Sequence, residues 1–141
     1  MAYNIHHQEV LLHQAYAIEF ALEPDALQSS PKLPTTRAYT DHLLRTGLLG
    51  SLLELVAAFL PSIWGHNEIG KQLGQRPRNS GSPYTRWIDQ FSSPMATQRV
   101  RQSCDLLDRL PEAASRETLA SADEAFAISS RYECMFWEMC D

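Results

Sequence analysis

At 141 residues the chain is long enough to bury one hydrophobic core and too short for two. Its 44% hydrophobic content is ordinary for a globular protein, and a formal charge of −5 with a pI near 5.5 leaves no basic footprint for nucleic acid. Glu54 and Pro61 interrupt the longest apolar run, which excludes a membrane span, and MAYNIHHQEV at the start carries no targeting pattern, so the cytoplasm is the expected location.

The period is helical throughout. Asn4 is placed to cap a first helix in which Ile5, Val10, Leu11, Ala15, Ile18 and Leu22 supply apolar contacts, with Pro24 beyond its end. The Pro- and Ser-containing segment from Glu23 to Pro34 predicts a surface connection. Thr35 or Thr36 can then cap a helix running from about Arg37 to Pro61. Proline lacks an N–H and its ring crowds the carbonyl four residues back, so this helix either kinks at Pro61 or ends at Leu60 and restarts. Gly74 to Pro83, GQRPRNSGSP, predicts the clearest loop. Shorter helices follow at Tyr84 to Phe91 and Met95 to Leu110, the second with Pro94 at its start and Pro111 just past its end. A last helix runs from about Arg116 to Cys140. No alternation predicts a strand, so the expected architecture is an all-α helical bundle forming one domain over residues 1–141.

Two polar intrusions into apolar stripes predict a site. Behind Pro61, Ser62 and His66 lie four residues apart on a face shared with Leu55 and Phe59, close enough for a hydroxyl–imidazole hydrogen bond. The alternative is a kinked core helix in which Ser62 bonds back to a carbonyl and His66 is a packing residue. In the last helix Phe126, Ser130, Glu133, Trp137 and Cys140 fall near one stripe, so Glu133 points with the aromatics while Glu138 turns toward solvent. A carboxylate there is expected to be at least half buried and to need a partner, either a catalytic one or a structural hydrogen bond from a neighbouring helix.

Cys104, Cys134 and Cys140 are odd in number and form no C-x-x-C pair, which argues for buried, reduced thiols. Glu9 and His13 share a face, but no Glu-x-x-His or H-E-x-x-H occurs, so neither a metal nor a cofactor is expected.

Four segments in order, PTTRAYTDHLLRT (Pro34 to Thr46), LLELVAAFLPSIWGHNEIG (Leu52 to Gly70), YTRWIDQF (Tyr84 to Phe91) and ISSRYECMFWEM (Ile128 to Met139), resemble the TenA family, also called thiaminase II. The resemblance covers almost the whole chain. It implies a haem-oxygenase-like all-α fold, an oligomer, usually a tetramer, and hydrolysis of the C–N bond of aminopyrimidines to give hydroxymethylpyrimidine for thiamin salvage. Some members also cleave thiamin, so the implied ligand is an aminopyrimidine or a thiamin-related molecule.

Position by position, the resemblance implies that Tyr39 lines the pyrimidine pocket and that Glu133 is the carboxylate that moves a proton at the substrate amine. It places Ser62 where the family has its nucleophilic cysteine, after the proline of an L-L-P-C motif. His66 and Phe91 stand where the family has tyrosines. A cysteine thiol ionises at about pH 8.5, whereas a serine hydroxyl is a weak nucleophile without an adjacent base. The resemblance further implies that the chain lacks two or three N-terminal helices of the family domain, which carry an aspartate and an aromatic of the site. That predicts an uncovered apolar surface.

Overall fold

The computed structural model describes residues 2–23, 26–77 and 81–139, with the backbone alone for residues 2–9, 27 and 28. The chain packs as two units, Met1–Lys32 and Leu33–Asp141. The first contains α1 (Ala2–Glu19) and the single turn α2 (Ala26–Ser29). Asn4 lies within α1 and does not cap it, because the helix begins two residues earlier. At its end the Leu22 N–H reaches back to the Ala17 carbonyl at 2.9 Å, which turns Ala21 into the left-handed region with φ of 51°. Pro24, expected beyond this end, lies outside the described residues.

The second unit contains α3 (Pro34–Leu49), α4 (Leu52–Gly74), α5 (Thr85–Phe91), α6 (Pro94–Arg109), a 3-10 turn (Leu110–Ala113) and α7 (Arg116–Glu138). α3 starts at Pro34, a residue suited to the first helical position, and neither Thr35 nor Thr36 caps it. The expected continuous helix from Arg37 to Pro61 is instead two helices. At the break Ser51 and Glu54 form a capping box: the Ser51 hydroxyl accepts the Glu54 N–H at 3.3 Å, and the Glu54 carboxylate accepts the Ser51 N–H at 3.1 Å. This satisfies two donors that a helix start leaves open, and S-L-L-E is its sequence signature. Pro61, by contrast, stays inside α4 as a buried residue. Ser93 and Ser115 cap α6 and α7 through hydroxyls that accept N–H groups three residues on, each at 3.1 Å.

The core is the seam between α4 and α7. Ala57 and Ala58 face it from α4, with Ala122, Ala125 and Ser129 on α7, all buried. Small side chains let two helices approach closely, because interaxial distance follows the size of the residues at the contact. Leu107, Leu110, Leu119 and Phe126 seal one end of this seam around Leu53, Ala57 and Ala122. α3, α5 and α6 pack against α4, and α3 also meets α7.

Candidate active site

Tyr39 reaches inward from α3. Its ring stacks on Tyr132 of α7 with centroids 5.4 Å apart, and one turn later His42 Nε2 lies 3.3 Å from the Ala125 carbonyl. These two contacts set the depth of α3 on α7. The Tyr39 hydroxyl is thereby buried beside Glu133, Ser129 and Ser62, although none meets it at hydrogen-bonding geometry. Burial first, and then the negative charge of Glu133, push the phenol well above its ordinary value near 10. Tyr39 therefore keeps its proton and acts as a donor.

Glu133 is 9% exposed, on the same buried stripe of α7 as Ala122, Ala125 and Ser129. Ser129, one turn before Glu133, is fully buried. Tyr39 Oη, Ser129 Oγ and Glu133 Oε2 are all buried without a hydrogen-bond partner among the described residues. Isolated orphans of this kind are rare because each costs roughly 1–3 kcal/mol of desolvation, and three in one place suit a polar ligand.

His66 completes the other side. Its Nδ1 is 2.9 Å from the Ser62 carbonyl oxygen and 3.8 Å from Glu133 Oε2. The ring sits among Phe91, Trp137, Trp87 and Phe136, with centroids 5.0, 5.2, 5.9 and 6.4 Å away. The expected hydroxyl–imidazole bond between Ser62 and His66 is thus replaced. The imidazole takes the backbone carbonyl that Ser62 contributes to the preceding turn, while the Ser62 side chain belongs to the Tyr39 side of the site.

Phe91 is held from behind. Asn67, 1% exposed, donates from Nδ2 to the Phe91 carbonyl at 2.7 Å and to Thr97 Oγ1 at 3.3 Å. A Cβ at Gly70 would come within 2.8 Å of the Phe91 backbone carbon and Cβ, so only glycine admits α5 this close to α4. Ring contact between Trp87 and Phe91, at 4.7 Å, then forms a wall opposite Glu133's neighbours Phe136 and Trp137.

Tyr39, Ser62, His66, Phe91 and Glu133, from four helices, therefore meet in one region. Ser130, placed on the Glu133 stripe by the sequence, instead bonds back to the Phe126 carbonyl at 2.8 Å, and Ser129 takes the buried position. Of the three cysteines expected to be buried, Cys134 is exposed, because it follows the inward-facing Glu133 by one residue and so turns about 100° round α7, Cys104 is only half-buried, and Cys140 lies outside the described residues. Ser129 and Asn67 were missed. Their signal was periodic: Ser129 follows Ala122 and Ala125 on one face, and Asn67 shares a face with Ala57, Leu60 and Gly70.

Comparison with known proteins places this arrangement. The aminopyrimidine aminohydrolase of Bacillus subtilis is 32% identical over 98% of this chain and 58% of its own length, and that of Halalkalibacterium halodurans is 34% identical over 93% and 59%. The chain thus spans about three fifths of the length of these curated relatives. The X-ray structure of a TenA homologue from Pyrococcus furiosus shares the fold, with a TM-score of 0.87 at 23% identity, covering 99% of this chain and 66% of that one. The TENA/THI-4/PQQC family profile matches residues 2–140, and the chain belongs to that family.

Proposed function

We propose that the chain is the C-terminal part of a family domain that binds an aminopyrimidine and hydrolyses its C–N bond in thiamin (hydroxymethylpyrimidine) salvage. The observation that carries this reading is the convergence of three buried, unpartnered polar atoms, Tyr39 Oη, Ser129 Oγ and Glu133 Oε2, beside an aromatic wall. A flat heterocycle bearing amino groups matches both halves of such a site, since rings stack on aromatics and N–H groups satisfy buried acceptors. The aminopyrimidine aminohydrolases among its relatives supply the reaction.

In this mechanism Tyr39 donates to the ring, Glu133 shuttles the proton to the departing amine, and Ser62 occupies the position of the attacking group. Without a thiolate, attack on the ring carbon is slow. The site is served by no cofactor, and the protein works as a homo-oligomer in the cytoplasm. No described helix is long and apolar enough to cross a membrane.

Ammonia release from an aminomethyl-substituted aminopyrimidine tests the reading. Wild type is expected to turn over slowly, Ser62→Cys faster, and Glu133→Gln slower by about 10²-fold or more, the usual contribution of a general acid–base group. Turnover unchanged by Glu133→Gln would overturn the assignment. A second reading, a non-catalytic pyrimidine-binding or oligomerisation module, draws on the exposed leucines of α3, Leu44, Leu48 and Leu49. Binding of the pyrimidine with no ammonia release from wild type or from Ser62→Cys would favour it.

A further inference from the structure

His66 has one ring nitrogen whose neighbours decide its chemistry. Nδ1 faces two oxygens, the Ser62 carbonyl at 2.9 Å and Glu133 Oε2 at 3.8 Å. A carbonyl oxygen only accepts, so the nitrogen bonded to it must carry the hydrogen. The proton on Nδ1 is therefore fixed by backbone geometry. Glu133 Oε2, itself without a hydrogen-bond partner, lies 3.8 Å from the same nitrogen, beyond hydrogen-bonding distance but close enough to feel the positive end of the N–H dipole.

The other described contacts of the His66 ring are with aromatic rings. From α5 it meets Trp87 and Phe91, and from α7 it meets Phe136 and Trp137 besides Glu133. Four aromatic rings restrict the imidazole's rotation and keep Nδ1 pointed along the α4–α7 seam. On its other side Glu133 faces Tyr39 of α3, with Ser129 one turn back on its own helix. Arg86 and Asp89 of α5 are solvent-exposed, as is Arg131 of α7.

We propose that His66 is a positioning residue of the site: its Nδ1–H, anchored on the Ser62 carbonyl, presents the positive end of its dipole 3.8 Å from Glu133 Oε2 and so keeps the carboxylate oriented toward the amino group of the ligand. The proposal rests on the reading of the site as an aminopyrimidine site. It gives the histidine a function that a phenylalanine does not reproduce, because the donor, and not the ring, is what Glu133 sees. It also explains why the residue lies four positions after Ser62, where a helix brings a side chain over the carbonyl of the preceding turn.

The test separates the donor from the ring. Asparagine places an amide N–H where Nδ1 is, whereas glutamine places one farther out, at the position of Nε2, and phenylalanine fills the aromatic box with no donor. Affinity for the aminomethyl-substituted aminopyrimidine, measured by calorimetry, is expected to fall about tenfold in His66→Phe and His66→Gln, and to return to within roughly threefold of wild type in His66→Asn. Equal affinity in wild type and His66→Phe, or equal loss in all three variants with folding intact, would overturn it.

A second measurement needs no ligand. Long-range ¹H–¹⁵N spectra of ¹⁵N-histidine-labelled protein, assigned by the signal lost in His66→Asn, are expected to show neutral His66 protonated at Nδ1 and its Nδ1 resonance displaced in Glu133→Gln. A neutral ring protonated at Nε2, or an Nδ1 signal indifferent to Glu133→Gln, would refute the proposal. If wild type binds no aminopyrimidine, the functional reading fails, and these spectra alone decide the contact between His66 and Glu133.

Discussion

Tyr39 shows how a single residue can be tuned by the helix it faces. Its phenol is buried against a carboxylate, so ionising it would place two negative charges side by side in a poorly solvated region. An unfolded chain releases this proton near pH 10, whereas the folded protein retains it to higher pH. Above pH 10 the unfolded state therefore binds fewer protons than the native one, and stability falls with rising pH until the native phenol also ionises. The contribution is fully present below that window. Urea denaturation between pH 8 and about 11.5 is expected to show this alkaline loss in wild type and a flatter profile in Tyr39→Phe. An identical profile in the variant would mean that Tyr39 is solvated in the native state. The same residue is expected to be needed for ligand affinity, since its hydroxyl is the donor of the cluster.

At the scale of elements, the decisive contact is the one that brings α5 onto α4. A seven-residue helix has little stability of its own, and α5 is held by the Asn67 side chain at its last carbonyl and by the absence of a side chain at Gly70. Gly70→Ala would gain helix propensity in α4 but drive a methyl group into the backbone of Phe91 and Ser92. The clash is with backbone, which cannot swing aside, so the packing term wins. A net destabilisation of about 1–3 kcal/mol is expected from chemical denaturation, with a change in the fluorescence contributed by Trp87. Unchanged stability would show that α5 is free to move away from α4. Because Phe91 and Trp87 touch His66, this substitution is also expected to weaken pyrimidine binding without altering any polar group of the site.

For the molecule as a whole, the distribution of apolar surface is uneven. The small side chains of the seam between α4 and α7 are buried, yet on α3 Leu44, Leu48 and Leu49 are 62, 80 and 78% exposed, and Leu52 and Phe59 of α4 add to the open apolar surface. Scattered leucines are ordinary, but residues four apart on one helix form a stripe, and such stripes mark interaction surfaces. The homo-oligomer proposed above covers this stripe. Sedimentation is expected to report an assembly larger than the 16.0 kDa chain, and Leu44→Glu with Leu48→Glu to shift it toward smaller species. A cooperative monomer that binds no hydrophobic dye would refute this expectation.

Helical periodicity and the order of proline, glycine and capping residues were sufficient to establish the all-α class and most helix ends, including the end of α4 at Gly74, because these depend on backbone chemistry within a few residues; residues 78–80 of the loop expected from Gly74 to Pro83 lie outside the described residues. The S-L-L-E box at Ser51 was equally local, and the long apolar run across it hid the break. The same locality placed Glu133 inward and Glu138 outward. Only the tertiary structure decided which of Ser129 and Ser130 is buried, since adjacent residues on a helix differ by about 100° and the choice depends on how α4 lies across α7. It decided the partner of His66 as well. Four residues of spacing permit both the Ser62 hydroxyl and the Ser62 carbonyl, and the aromatic rings brought by α5 and α7, together with a carboxylate 67 positions away in sequence, select the carbonyl.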